Sequence, residues 1–581
     1  MMKTNKTGKV IPFSQNATFY MKRGAKELEK NDLIAAVFKY REAYERAPED
    51  AEIAVALAEI LSQMQRFEES NRILFRLLAD QVDAPPECHF GLACNYFGMQ
   101  DYDRAADSLE DYLELEPDGE FAADAEDFLD LIDDDDAMFE TTGLRGDDDY
   151  EDNAVTHFAR SLLASGEVGY AVEELERRYK QTPKSLKIRE QLSVAYFVAN
   201  RREEAREIAN SILAEDPSNV LAGSTLALGE IEEGKREEAG ARLDEMLKLR
   251  VLEPEELHSI AVLQLDLERV ADAEKTLTQM MHAMPYDENV LHKLGYARFM
   301  QGDADGAKAF YQKLLRIDPH DTVAKYYLNQ TKHAESAGKR PNAKWIIPYQ
   351  VPFSEAFRRL NHLNRTLALP HDELANVWAD DAAFRDLLVW AISLSDLRVK
   401  RSMLSLVFTF GDKNAEHILR DFLLRTDQPD ELKRAVFGML KQLEAKEPYM
   451  AYLNGRWIKG RVSLLELGYK LPASYEGVMQ IVMQFMLGNC REECTTEAGN
   501  IFRRYVESLN KKFPRISASQ EISFAAALEY LGRTSCGETV TEDEIGDVYR
   551  VTKSRLRNAI VKLEPFVTKQ EENKQDEISL H

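Results

Sequence analysis

The chain has 581 residues, a formal charge of −27 and only five cysteines: Cys88, Cys94, Cys490, Cys494 and Cys536. That length exceeds what one core can hold and predicts several structural units. The acidic balance disfavours a general affinity for nucleic acid or anionic membrane, and the sparse, odd cysteine count argues against a disulfide framework and for a reducing compartment.

Residues 1–16 carry lysines but no long apolar run, so they read as an N-terminal extension and not as a signal peptide. From Ala17 onward a pattern of 34 residues recurs in eight windows. A small residue stands at position 8, usually another at 20, an apolar residue at 24, and often proline at 32. The clearest window, Glu288–Asp321, has Gly295, Ala307, Tyr311, Leu314 and Pro319. The window Ala17–Asp50 has Gly24, Ala36, Tyr40, Ala43 and Pro48. The other windows start at Ala51, Pro86, Asp152, Leu186, Val220 and Pro254, and the last five run without a gap. Small residues let two amphipathic helices approach, larger ones fill the seam, and proline ends the second helix. The pattern resembles the tetratricopeptide repeat, a helix-turn-helix unit that stacks into a solenoid. The resemblance implies an all-α fold with repeats 1–3 over residues 17–119 and repeats 4–8 with a cap helix over 152–335.

Between these blocks lies an acidic linker, 120–151. From Glu116 to Asp152 there are 17 acidic residues and one basic residue, Arg145. Phe121–Ile132 has the apolar spacing of a helix capping the third repeat. Asp133–Asp136 and Asp147–Asp149 are too dense in charge for a stable fold of their own. Two readings stand, an acidic decoy for a basic partner and a solvated linker. A calcium loop would need alternating ligands and a glycine that Asp133–Asp136 lacks.

Residues 336–353, with three prolines and a glycine, read as an extended linker. Its Trp345, Ile346, Ile347 and Tyr349 predict packing along a surface. Residues 354–514 form a helical domain. Ala415–Leu443 resembles a HEAT-type helical pair, though any antiparallel pair gives the same pattern, and Phe384–Phe410 reads as another. Leu387–Leu394, the most apolar stretch, is too short to span a bilayer, and a cytoplasmic protein without membrane partners is expected. At 448–462, Asn454-Gly455 between apolar runs signals a small β-hairpin whose basic Arg456, Lys459 and Arg461 fit an edge strand better than a phosphate site. Cys490 and Cys494 lack the further ligands of a zinc site.

Residues 515–566 read as a helix-turn-helix-like module, and 567–581 as a disordered tail. Thr541 and Glu544 form a capping box, and the final helix begins at Thr552. No acid lies between Val548 and Leu563. The run resembles the last helices of cyclin-box repeats and of bacterial helix-turn-helix modules. That resemblance implies that Thr552, Lys553, Ser554 and Arg557 would face bases, and Arg550 and Arg555 phosphates. Tyr549-Arg550 stands where such turns usually carry glycine, and a purely structural triplet of helices is the alternative.

Tetratricopeptide solenoids bind peptides through first-helix positions 2, 5, 9, 12 and 13. Here these supply Phe90, Phe97, Phe197, Leu228, Ile231, Tyr296 and Phe299, with Glu52, Glu59, Glu190, Glu232, Glu255 and Asp266. The expected partner is an apolar, basic or helical segment of another protein. No glycine-rich phosphate loop or H-E-x-x-H motif is present; His157, His258, His282 and His292 fall within repeats and read as surface or packing residues, and His89 and His320 have no partner at useful spacing. The sequence therefore predicts a non-enzymatic scaffold without catalytic, cofactor or metal residues. The alternative is a regulator whose C-terminal module contacts DNA.

Overall fold

A computed structural model describes residues 16–80, 84–133, 146–248, 253–337, 345–453, 456–460, 471–487 and 489–567. Two compact units divide the chain, residues 1–403 and 404–581. Among the described residues the fold is all-α apart from one two-stranded sheet.

Among the described residues the first unit contains eight helix pairs, with the helix Ala122–Asp133 between the third and the fourth. Their first helices are Ala17–Leu28, Ala51–Gln63, Glu87–Gly98, Gly146–Ser165, Leu186–Val198, Val220–Glu232, Pro254–Asp266 and Glu288–Met300. The paired second helices are Leu33–Tyr44, Phe67–Asp80, Tyr102–Leu115, Val168–Gln181, Arg202–Glu215, Arg236–Met246, Val270–Ala283 and Ala304–Ile317. Asn16, Asp50, Ser185, Asn219 and Asp287 each accept a backbone N–H of the first turn that follows, which satisfies a donor the helix itself cannot. The small residues at positions 8 and 20, such as Ala58, Ala159, Ala227, Ala261, Ala239 and Ala273, are all buried at the seam.

The turn between the two helices has one geometry throughout. Position 15 of all eight windows has a positive φ: Asn31, Gln65, Gln100, Gly166, Asn200, Gly234, Glu268 and Gly302. Each is followed by a residue whose N–H returns to a carbonyl five residues back, as in Asp32 N–H to Glu27 O at 3.0 Å and Arg201 N–H to Tyr196 O at 2.8 Å. This closes the first helix through a left-handed residue and starts the second. The repeat length follows from this turn as much as from the apolar spacing.

Two helices cap the blocks. Ala122–Asp133 packs Phe128, Leu129 and Ile132 against the third repeat, around Phe90, Ala93 and Tyr112. Thr322–Ala337 follows the eighth repeat and buries Ala324 and Tyr327. Asp147–Asp149, expected to be too charged to fold, instead form the first turn of Gly146–Ser165. The exposed amides of a helix N-terminus favour negative charge, which offsets the mutual repulsion. The remainder of the linker, residues 134–145, lies outside the described residues.

The first and last repeats touch. Arg41 Nε donates to Ile317 O at 2.6 Å, and Arg41 also bonds Glu69 at 2.7 Å. Arg66 reaches Glu288 at 2.7 Å. Burial alone would raise the Glu69 carboxyl, but Arg41, Arg66 and Arg72 outweigh it and hold it well below the usual carboxylate range. Beyond the solenoid come the segment 345–352 and helices Phe353–Leu367, His371–Asp380 and Ala382–Ile392, and then Leu397–Phe410 carries the chain into the second unit.

The second unit holds the helices Lys413–Leu424 and Asp430–Gln442, the hairpin, and five further helices. Strands Tyr449–Leu453 and Arg456–Gly460 pair antiparallel, with Tyr452 opposite Trp457. Their turn, Asn454-Gly455, and Arg461 fall outside the described residues. Lys433 is buried under the hairpin and donates to Tyr452 O at 2.7 Å, and burial lowers its pKa to about 8. Ala473–Met486, Glu492–Ser508, Ala518–Ser535, Glu542–Tyr549 and Lys553–Leu563 share one core, centred on Phe502, Ala525, Leu528 and Leu556.

Candidate functional site

The first-helix positions singled out in the sequence fall into three environments. In the third repeat, Phe90 stacks on Phe121 at 4.6 Å between centroids, and Phe97 packs against Tyr102 at 5.2 Å and Phe128 at 5.3 Å. The cap helix Ala122–Asp133 and the residue before it thus lie over both rings.

In the middle of the second block the face is more open. Phe197, Leu228 and Ile231 are half-buried, and the neighbouring Val198 is 50% exposed. Leu228 and Ile231 rest on a core of Val220, Leu243 and Leu263. The guanidinium of Arg202 lies 3.9 Å from the Phe197 ring centroid and holds Glu232 through two bonds of 2.7 Å. A cation over a ring face is attracted by its quadrupole, so apolar surface and charge are interleaved here.

In the last repeat, Tyr296 is half-buried and Phe299 is buried. Trp345 stacks on Phe299 at 3.6 Å, and Ile347 packs on the core that Tyr296 also touches. The segment expected to run along a surface therefore lies on this repeat.

Several of the acidic residues at the same positions are engaged. Glu190 bonds Asn219 at 2.5 Å, and Glu255 pairs with Arg160. Burial raises the pKa of Asp266 and that of Glu190. Two histidines on first helices are held neutral: burial lowers His157 to about 4 and His258 to about 3. Lys293 is buried as well, which brings its pKa down to about 8.

His89 and His320, for which the sequence offered no partner, both have one. His89 lies 3.3 Å from Asp111. His320 lies 3.3 Å from Asp386 and 3.2 Å from Glu45, and hydrogen bonds to these two carboxylates raise its pKa to about 10. Asp111 lies on the facing helix, and Asp386 and Glu45 are distant in sequence, where spacing gives no signal.

At the C-terminus, Thr541 and Glu544 make both bonds of a capping box. Arg550 takes the turn with φ 53°, the conformation usually left to glycine. Thr552, Lys553, Ser554, Arg555 and Arg557 are all exposed at the start of the last helix. Lys553 sits 2.8 Å from both oxygens of Asp543, and Arg557 lies 2.6 Å from Glu542. The basic face free of acids along the chain thus receives two acids from the preceding helix. Among the described residues, no group of three or more His, Cys, Asp or Glu is placed to hold a metal ion. No helix among them is long and apolar enough to cross a membrane.

Tetratricopeptide-repeat models match residues 27–93, 87–119 and 289–321. The chain is 24% identical over 314 residues to the TPR repeat-containing protein YvcD of Bacillus subtilis (strain 168), covering 52% of this chain and 63% of that protein. It is 20% identical over 195 residues to ER membrane protein complex subunit 2-A of Xenopus laevis, covering 32% of this chain and 66% of the relative. The match thus spans less than two thirds of either relative. Among solved structures, the P58(IPK) TPR domain aligns at 15% identity with a TM-score of 0.21, over 56% of this chain and 99% of that one. A human IFIT1 dimer with PPP-AAAA aligns at 13% identity and 0.31, over 66% and 95%.

Proposed function

We propose that this chain, a tetratricopeptide-repeat protein, is a non-enzymatic cytoplasmic scaffold that binds a segment of another protein on its first-helix face. The observation that carries the reading is the half-buried row of Phe197, Leu228 and Ile231 beside exposed Val198. Apolar groups left accessible in a row along neighbouring first helices offer a non-directional surface, and the Arg202–Glu232 pair beside them offers polar specificity. The partner segment is apolar with basic or helical character, since the same first-helix positions of repeats five to seven carry Glu190, Glu232, Glu255 and Asp266. The five cysteines are all thiols, which fits a reducing compartment.

The test compares proteins retained from a lysate of the source cells by the wild type and by a Leu228→Glu, Ile231→Glu variant of equal helix content. A set retained by the wild type and lost by the variant is expected. Identical sets would remove the central face from consideration.

A second reading places duplex DNA on the C-terminal module, through Arg550, Thr552, Lys553, Ser554, Arg555 and Arg557. Their common exposure at one helix start favours it, and the pairing of Lys553 and Arg557 with acids weighs against it. Binding of the full chain to duplex DNA over a salt series, with Arg555→Ala alongside, decides the matter. Phosphate contacts give an affinity that falls steeply with salt.

A further inference from the structure

The segment 345–352 occupies the first-helix face of the last repeat in the manner of a bound peptide. Residues 347–350 bend, with Gln350 N–H bonded to Pro348 O at 2.8 Å, and Trp345, Ile347 and Tyr349 make side-chain contacts with the last repeat and its cap helix. Trp345 stacks on Phe299 and meets Tyr327 and Tyr311 edge-on, at 4.9 and 5.6 Å between centroids. Ile347 packs on the core beside Tyr296. The Tyr349 hydroxyl donates to the Asp321 carboxylate.

Backbone recognition accompanies the side chains. His292 Nε2 donates to Ile346 O at 2.9 Å while its Nδ1 accepts from the Tyr311 hydroxyl at 3.0 Å. The Tyr327 hydroxyl donates to Gln350 O at 2.8 Å. His292, Tyr296 and Phe299 are positions 5, 9 and 12 of their window, three of the places where a tetratricopeptide repeat meets a peptide.

One contact is unsatisfied. Among the described residues the buried indole N–H of Trp345 has no acceptor, a cost that a phenylalanine in the same place would not carry. The rings of Phe299, Tyr311 and Tyr327 surround that place.

We propose that this groove is a recognition site for a short partner segment anchored by phenylalanine, and that residues 345–350 are its resident intramolecular competitor. The proposal rests on the reading of first-helix side chains as the binding surface, but uses a different repeat from the row at Phe197, Leu228 and Ile231. A partner segment bent as the strap is would place phenylalanine against Phe299, an aliphatic residue two places on against Tyr296, and a hydroxyl four places on against Asp321. Because the strap belongs to the same chain, its effective concentration is high, and a partner must displace it.

The test uses the full chain and a fluorescein-labelled synthetic peptide of residues 345–352 carrying Trp345→Phe. Fluorescence anisotropy is read for the wild type, for Trp345→Ala, and for Trp345→Ala with Phe299→Ala. The released protein is expected to bind the peptide at least tenfold more tightly than the wild type, and the double variant to lose that gain. The milder Ile347→Ser, which leaves the ring stack in place, takes the role of the released protein if Trp345→Ala does not fold. Peptide binding that is equal in wild type and released protein, or absent from a folded released protein, overturns the proposal. Neither outcome depends on the central row, so each proposal can fail alone: Leu228→Glu, Ile231→Glu in the released background should leave peptide binding unchanged.

Discussion

The ammonium of Lys400, wholly buried, lies 2.5 Å from Glu167 Oε1 at the turn of the fourth repeat, 233 residues earlier. Both groups have left water, and their pairing offsets part of that loss. Breaking such a pair from one side leaves an uncompensated charge and costs about 3–5 kcal/mol, whereas replacing both sides with apolar groups of similar volume is often neutral. Glu167→Ala should therefore lower the thermal midpoint of the first unit clearly, and Glu167→Leu with Lys400→Met should restore most of it. A single variant as stable as the double one would show that water reaches the pair.

The repeated turn makes a second prediction. Glu268 and Gln65 adopt the left-handed conformation at a cost of about 1 kcal/mol that glycine avoids. Glu268→Gly and Gln65→Gly should each stabilise the chain by a fraction of that amount, because glycine's greater freedom in the unfolded chain offsets part of the gain. Denaturant midpoints decide it, and a loss in both variants would refute the assignment of strain to this position.

His320 gives a pH dependence. Its folded pKa stands near 10, above the ordinary value near 6.5, because the charged ring bonds Asp386 and Glu45. The stabilisation is fully present below about pH 6.5 and is lost as pH rises through about 10. His320→Gln should be less stable than the wild type at pH 6, with the gap closing toward pH 10. Melting curves of the two proteins across that range test it, and a constant gap would mean that the ring acts by packing alone. The ring is more than half exposed, so solvent reduces the effect.

In the second unit, a Cβ on Gly532 would come within 2.6 Å of Cys494 O and 3.1 Å of Ala498 Cβ. A backbone carbonyl inside a helix has little room to yield. Gly532→Ala should destabilise this unit by about 1–3 kcal/mol through overpacking, despite alanine's better helix propensity. A neutral or stabilising effect in chemical unfolding would show that the two helices can separate.

Much of the first unit was readable because each repeat solves its packing locally. The same small residues, apolar seam and caps return every 34 positions, and Gly166, Gly234 and Gly302 mark the turn by type. The cap helices and the hairpin also carry their own periodicity. What stayed hidden depends on residues far apart or on charge counted in the wrong dimension. Lys553 and Arg557 form part of a basic run along the chain, yet Asp543 and Glu542 fold back onto them across the turn. Trp345, Ile347 and Tyr349 advertise an apolar alternation, but nothing in the alternation names Phe299 and Tyr296 as their seat.

The bond from Arg41 to Ile317 O joins residues 276 apart in sequence. A repeat array normally interacts only with its neighbours, so it can be shortened from either end and can begin folding anywhere. Here the first repeat has a second neighbour in the eighth. Trimming the N-terminal repeat would strip contacts from the far end of the array as well as from the second repeat, and closing the long loop makes the last step of assembly wait for the whole array. The solenoid has given up the modularity of its units for a length fixed at eight.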